Sequence, residues 1–168
     1  MQQPIFTDNA TIIGDGSSAH PLKGGALLKV LTRRISSAEI LSMSAGAAAV
    51  ELVPAPGSGL AIFPVRINLN YEFVTTKYTI GGGGGANMAI GWGLTAAEVK
   101  VALAFLAFDS PFLDQTADFF QIADPNTALT QPMTRFEDIP IRMECDDALS
   151  LGDGTMVANI LYALVPVR

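Results

Sequence analysis

The residues that could carry out chemistry in this chain are few and widely spaced. His20 is the only histidine and Cys145 the only cysteine among 168 residues. A serine or cysteine nucleophile needs a nearby base, and His20 precedes Pro21 in a polar leader whose sequence gives no sign of a buried pocket. We therefore predict no catalytic residue, and we expect Cys145 to be a small buried side chain.

The acidic residues offer two further kinds of chemistry. Glu144, Asp146, Asp147 and the nearby Asp153 carry the oxygen ligands that Ca²⁺ takes, but their spacing fits no EF-hand loop. Acidic turns are usually solvated, so we predict no metal site, with Ca²⁺ near Glu144–Asp147 left as an open alternative. Paired carboxylates could also cleave glycans. Such sites sit in larger grooves lined with Trp and Tyr, and this chain has one Trp and three Tyr.

Five consecutive glycines, residues 81–85, are the one feature that suggests phosphate binding. A phosphate loop needs a Lys and a Ser or Thr where its helix begins, and here Ala86-Asn87-Met88 follows. The glycines are instead typical of a flexible hairpin loop. We predict no cofactor-binding residue and no cofactor, and expect a non-enzymatic protein.

Composition indicates a protein that hides surface against other subunits. Hydrophobic residues make up 49% and charged residues 15% of the chain, whereas soluble domains average about 25% charged. The length suits one domain with a sizeable core. There is no charge-free run of 18 apolar residues, which argues against a membrane partner. The start, Met1-Gln2-Gln3-Pro4, does not resemble a secretory signal.

The net charge of −6 lies in the second half of the chain. Residues 1–97 carry six Lys or Arg against five Asp or Glu, and residues 98–168 carry four against eleven. An acidic surface repels phosphates, so we expect no nucleic-acid partner. The one basic cluster, Lys29, Arg33 and Arg34, lies in a strand-like run. We interpret it as a strand-edge or intersubunit ion-pair feature, or simply a solvated edge that blocks aggregation.

The order of elements predicts an all-β protein. Residues 1–26, rich in Pro and Gly, form an extended N-terminal arm, and residues 27–168 form a single domain. Alternating patterns predict strands at 27–35, 48–53, 60–74, 87–92, 139–145 and 156–165. Residues 36–41 suggest a helical turn with a Ser36–Glu39 capping box. Turn signals at 54–59 and 152–154 favour an antiparallel β-sandwich, jelly-roll-like if it has about eight strands.

Two segments are harder to interpret. Thr95–Phe108 fits either a strand or a short helix buried under the sheet. Residues 109–138 suggest long loops pinned by aromatics, with acidic and aromatic residues interleaved: Asp109, Phe112, Asp114, Asp118, Phe119, Phe120 and Asp124. Aromatic anchors ringed by charge are typical of an interface hot spot. The alternative is that these phenylalanines pin the loop to its own sandwich.

Two short stretches carry a resemblance to a protein class. Residues 13–22 read IGDGSSAHPL, and residues 50–62 read VELVPAPGSGLAI. Together they resemble tailed-bacteriophage virion proteins, in which a small β-rich domain follows a Gly/Asp/Ser/Pro leader. The resemblance covers roughly residues 11–75, with weaker agreement at Gly152-Asp153-Gly154-Thr155.

The resemblance implies a structural role in the virion. The implied role is similar to that of capsid decoration (cement) proteins. These proteins are made in the host cytoplasm and bridge major capsid subunits on the capsid surface. A tail-fibre, collar or baseplate module, or a receptor- or glycan-binding domain, remain alternatives. The expected partners are the major capsid protein and copies of the chain itself, as a homotrimer. The candidate aromatic anchors, divided between core and interface, are Phe63, Tyr71, Phe73, Phe105, Phe108, Phe119 and Tyr162.

Overall fold

The computed structural model describes residues 27–43, 49–80, 87–93, 100–107, 113, 115–123, 132–145 and 148–167. The predicted arm, residues 1–26, lies outside them, and the boundary between arm and domain stays a prediction. Ten strands and two short helical segments follow in chain order: β1 (Leu27–Ile35), α1 (Ser37–Ser42), β2 (Val50–Val53), β3 (Leu60–Glu72), β4 (Thr79–Ile80), β5 (Asn87–Gly93), β6 (Lys100–Ala107), β7 (Phe119–Ala123), a 3-10 helix (Met133–Phe136), β8 (Ile141–Cys145), β9 (Leu149–Ser150) and β10 (Thr155–Pro166).

The strands form two four-stranded antiparallel sheets and one small pair. The first sheet has the order β1-β10-β3-β7, the second β2-β8-β5-β6, and β4 pairs with β9. Eight of these strands have four or more residues. Counted in chain order among those eight alone, the first sheet holds strands 1, 8, 3 and 6, and the second sheet holds strands 2, 7, 4 and 5. This is the order of a double-sheet jelly roll. The prediction of an all-β, jelly-roll-like sandwich is confirmed.

The core lies between the sheets because alternate residues of each strand point inward. From the first sheet, Ile67 and Leu69 of β3 and Ile160 of β10 are fully buried. From the second sheet, Trp92 of β5 is 2% exposed, and its indole Nε1 donates a hydrogen bond of 2.9 Å to the carbonyl oxygen of Ile62. This bond joins β5 to β3, so Trp92 ties the two sheets together while filling space between them.

Local signals placed most elements correctly. The capping box before α1 is present: the Ser36 hydroxyl accepts from the N–H of Glu39, and the Glu39 carboxylate accepts from the N–H of Ser36. In the turn before β3, Gly57 has φ +95° and Gly59 has φ +79°, a region that disfavours other residues. The strand alternative for residues 95–108 is the one found, since Lys100–Ala107 is β6.

The prediction of loops throughout residues 109–138 is wrong in two places. Phe119–Ala123 forms β7 and Met133–Phe136 a 3-10 helix. The sequence of β7 is FFQIA, in which both faces carry apolar side chains. A half-buried strand is recognised by alternation, and this segment has none.

Candidate interaction surface

The first sheet has one side facing the core and one facing outward, and the outward side is unusually apolar. We call this side the outer face. Its exposed hydrophobic residues come from β1, β3 and β7: Leu28, Val30, Phe63, Val65, Phe120 and Ile122. Val30, Phe63 and Phe120 are each about half exposed, at 56%, 49% and 54%. Exposed apolar side chains gathered on one face mark interaction sites in soluble proteins. Asn68 and Asn70 of β3 lie between the apolar pair of β7 and the other apolar residues of this face.

A bulge shapes one end of the outer face. Along the β10–β3 pair, Leu161 opposes Arg66 and Tyr162 opposes Pro64, so Val65 is the extra residue of β3. A bulge bends the strand and re-aims the side chains beside it. On the β7 side of β3, Pro64 has no ladder partner among the described strands, because β7 pairs only with residues 67–71 of β3. Phe63 and Val65 are left exposed beside the bulge.

Polar side chains cross the middle of the outer face. The Thr32 hydroxyl donates a 2.8 Å hydrogen bond to Asn159 Oδ1 on the neighbouring strand. At one end, Arg34 Nη2 lies 2.6 Å from Glu72 Oε2. The charges of Arg34 and Glu72 are thus compensated within the chain. Arg66 of β3, exposed beside Val65, adds a further positive charge to this face.

The basic cluster lies at one edge of this sheet, as the sequence predicted. In the described part of the chain, β1 pairs with β10 alone. Arg33 forms an ion pair with Glu39 of α1, and Arg34 pairs with Glu72 of β3. The interpretation as a strand-edge feature is confirmed for Arg33 and Arg34, but the ion pairs lie within the chain and not between subunits.

The opposite edge of the same sheet is β7, which carries no charge. Among the described strands its neighbour is β3 alone, with Phe120 opposite Asn70 and Ile122 opposite Asn68. Phe120 and Ile122 therefore lie on the outer face, and they are 54% and 43% exposed. Phe120 is thus not a core pin. Phe112, Asp109, Asp114 and Asp124 lie outside the described residues.

The remaining aromatic anchors divide between core and surface. Tyr71 and Tyr162 are buried, at 1% and 9% exposure, and Phe73 packs against the core while partly exposed. Phe63 and Phe119 are exposed. Phe105 lies in β6 with its side chain outside the description, and Phe108 lies outside the described residues.

Several surface residues were missed by sequence reasoning. Val30 and Val65 lie in predicted strands without an assigned face, because neither edge order nor bulges can be read from a single alternation pattern. Ile122 lies in the segment predicted as a loop. The signal that could have found β7 is its composition. Five uncharged residues rich in aromatic and β-branched side chains stand alone between polar segments.

Asp153, one of the acidic residues considered as a Ca²⁺ ligand, has a structural role in a turn. Asp153 Oδ1 accepts hydrogen bonds from the backbone N–H groups of Thr75 at 3.0 Å and Thr76 at 2.9 Å. The Thr75 hydroxyl also donates to the Asp153 carboxylate. These bonds, that of the hydroxyl first, lower the pKa of Asp153. Its neighbour Gly154 accepts a 2.6 Å bond from the buried Tyr78 hydroxyl. The turn is therefore a latch between the end of β3 and the start of β10.

The other candidates for chemistry are placed as follows. Cys145 is a free cysteine with no exposed surface, which confirms the prediction of a buried side chain. His20, the glycines 81–85, Asp146 and Asp147 lie outside the described residues. Within the described ranges, no group of three or more His, Cys, Asp or Glu side chains is arranged to hold a metal ion. No helix among the same residues has the length and apolar character to span a membrane.

No protein-family model and no curated protein matches the chain. The chain is similar to one in the structure described as "Capsid of Ralstonia phage GP4". The TM-score is 0.47 and the sequence identity 16%, over 95% of this chain and 92% of that chain. Jelly rolls host many unrelated functions, so the function of this chain must be argued from its own surfaces.

Proposed function

We propose that this chain is a non-enzymatic structural protein of a tailed-bacteriophage virion, of the capsid decoration (cement) type. The observation that carries the proposal is the outer face, an exposed sheet surface with apolar side chains from several strands and few charges. Such a surface fits a protein that works by covering another protein. The resemblance of residues 13–22 and 50–62 to virion proteins supplies the kind of assembly.

Three side chains of types that enzymes use in catalysis have structural roles here, which supports a non-enzymatic function. Cys145 is fully buried in the second sheet. Asp153 is engaged by Thr75 and Thr76, and Glu39 is engaged by the capping box and Arg33. Each of these side chains therefore has a structural role in the sandwich.

The mechanism of such a protein is mechanical. On the capsid surface it bridges neighbouring major capsid subunits and buries its apolar residues against them. Burial stabilises a contact by roughly 25 cal/mol per Å² of apolar surface. Many copies act together on one shell, so modest single contacts hold the shell against the pressure of packaged DNA.

The exposed phenylalanine of β7 provides the sharpest test of the surface. Phe120→Ser should abolish or strongly weaken binding to capsids lacking the protein, because Phe120 is 54% exposed on the outer face. Its melting temperature should stay nearly unchanged. Phe136→Ser is the matched control, since Phe136 is 3% exposed and stacks on Trp92 with ring centroids 4.6 Å apart. That variant should lose stability. Full capsid binding by Phe120→Ser would remove the outer face from the proposal.

The N-terminal arm should add a second attachment. A Pro- and Gly-rich leader before a low-charge domain suits docking onto a neighbouring subunit. Deletion of residues 1–25 should leave a folded domain with weakened binding to the particle. If the shortened protein binds shells as tightly as the whole chain, the arm has no part in attachment.

Location and assembly state can be measured directly. Cryo-electron microscopy of the virion should find the chain on the shell, and density on the tail would overturn the decoration role in favour of a tail module. The low charge and the exposed outer face favour self-association, and we propose a homotrimer. Sedimentation of the isolated protein should then show three copies, and a monomer at micromolar concentration would refute the trimer.

A further inference from the structure

The two edges of the first sheet differ in what they present to a neighbour. At any sheet edge, alternate backbone N–H and C=O groups point away from the sheet and are free to pair with another strand. Proteins commonly block such edges with charged side chains, especially Lys. The β1 edge carries Lys29, Arg33 and Arg34. The β7 edge has neither charge nor proline in Phe119–Ala123.

We propose that β7 pairs with β7 of a second copy of this chain, antiparallel, across a two-fold axis through Gln121. The described part of the chain leaves the outer edge of β7 without a neighbouring strand. The pairing would join the first sheets of two copies into one eight-stranded sheet. It would make their outer faces continuous. The contact does not depend on the capsid role.

The register follows from the side chains. With the axis at Gln121, Phe120 of each copy opposes Ile122 of the other on the outer face. Pairs of an aromatic and a β-branched side chain are among those that stabilise antiparallel sheets. Moving the axis to Phe120 would set Ile122 against the carboxylate of Asp118. Moving it to Ile122 would leave Phe120 opposite a position beyond the end of β7, without an apolar partner in that strand. Of these three registers, only the one centred on Gln121 places both Phe120 and Ile122 opposite apolar side chains.

Acidic residues flank β7 in the sequence. Asp118 directly precedes the strand and Asp124 directly follows it. The Asp118 carboxylate accepts a 2.9 Å hydrogen bond from the N–H of Phe73, which holds it beside its own sheet. Like charges at both ends weaken the pair in low salt, so added salt should strengthen it.

The contact is small, which sets the expected affinity. Stable interfaces bury about 1,200–2,000 Å² in total, and a pair of five-residue strands supplies only part of that. We therefore expect weak, concentration-dependent association in solution. Many copies held side by side strengthen such contacts. A two-fold contact can join two copies into a dimer or join neighbouring trimers, and in both cases it brings two β7 strands together.

Disulfide cross-linking tests the pair and its register. Directly opposed residues in antiparallel strands have Cα atoms about 4.5–5.5 Å apart, within the range that a disulfide spans. Gln121→Cys should give a linked dimer on mild oxidation. Thr32→Cys, exposed on the β1 edge, is the matched control and should link much more slowly. The unsubstituted chain, whose Cys145 is buried, should not link.

A mixing experiment checks the register independently. Phe120→Cys mixed with Ile122→Cys should form the mixed disulfide faster than either variant links to itself. In a second variant, Ile122→Lys should suppress linking of Gln121→Cys, whereas Val30→Lys on the β1 edge should not. Equal linking rates for Gln121→Cys and Thr32→Cys would overturn the proposal. Self-linking of Phe120→Cys as fast as mixed linking would overturn it too.

Discussion

Two glycines with the same φ angle allow one packing contact to be measured in isolation. Gly57 and Gly152 both have φ +95°. A Cβ at Gly57 would meet nothing within 4 Å, whereas a Cβ at Gly152 would stand 2.5 Å from Cγ of the Tyr78 ring. Tyr78 is 2% exposed, so its ring has little room to move. Gly57→Ala therefore reports backbone strain, and Gly152→Ala reports the same strain plus steric overlap.

The expected costs can be worked from these two terms. A non-glycine residue in a sparsely populated region costs about 1–3 kcal/mol. Overpacking a filled core adds typically 1–3 kcal/mol. Gly152→Ala should therefore lower the free energy of unfolding by about 1–3 kcal/mol more than Gly57→Ala does. For a chain of this length, 1 kcal/mol shifts the melting temperature by about 2–4 °C, so the two variants should differ by roughly 2–12 °C.

Urea unfolding and thermal melting, both followed by circular dichroism, would measure the difference. Each variant should keep the slope of its urea curve, since neither changes the surface exposed on unfolding. If Gly57→Ala and Gly152→Ala lose equal stability, the Tyr78 ring does not constrain the turn, and the reasoning about the latch is wrong. A Gly152→Ala variant as stable as the unsubstituted chain would refute the strain argument as well.

Two further predictions concern local hydrogen bonds. Ser36→Ala removes the cap of α1 and should cost about 1 kcal/mol, measured by urea unfolding, with Ser37→Ala as a control of little effect. Asp153→Asn tests the latch through pH. Because the folded-state pKa of Asp153 lies below its ordinary value of 3.8, its charge stabilises the fold above that pH, and the stabilisation is lost as pH falls through the folded-state pKa. The stability advantage of the unsubstituted chain over Asp153→Asn should therefore shrink in acid, and a constant difference from pH 6 to pH 2 would contradict it.

The fold was largely predictable because its signals are local. Residues 66–73 alternate apolar and polar side chains, and this pattern belongs to a strand with one buried face. Gly57 and Gly152 mark turns that need positive φ, and Ser36 with Glu39 marks the start of a helix. Each signal acts over a few residues and is retained in the folded chain. The segment Phe119–Ala123 gave no such signal, because an edge strand can carry apolar residues on both faces.

The surface was less predictable because it depends on the order of strands. The sequence identified Lys29, Arg33 and Arg34 as an edge feature, but it did not show that Arg34 would find Glu72 two strands away. The sequence allowed two roles for Phe120: an interface residue, or a core residue that fixes its loop to the sandwich, with the core role slightly favoured. Exposure of that side chain follows only once β7 is known to lie at the edge of the first sheet.

The turn at residues 152–154, which agrees only weakly with virion proteins, explains folding better than it explains binding. In Gly152-Asp153-Gly154, the first glycine accepts a positive φ beneath Tyr78, the aspartate binds Thr75 and Thr76, and the second glycine leaves room for Tyr71. A turn of this kind is useful in any sandwich that must fasten its last strand. What would distinguish an assembly protein is the neighbouring surface, where charges guard one edge of a sheet and are missing from the other. Charges on both edges would hinder pairing between copies, so the uncharged β7 edge is the feature that permits a direct contact between two copies of this chain.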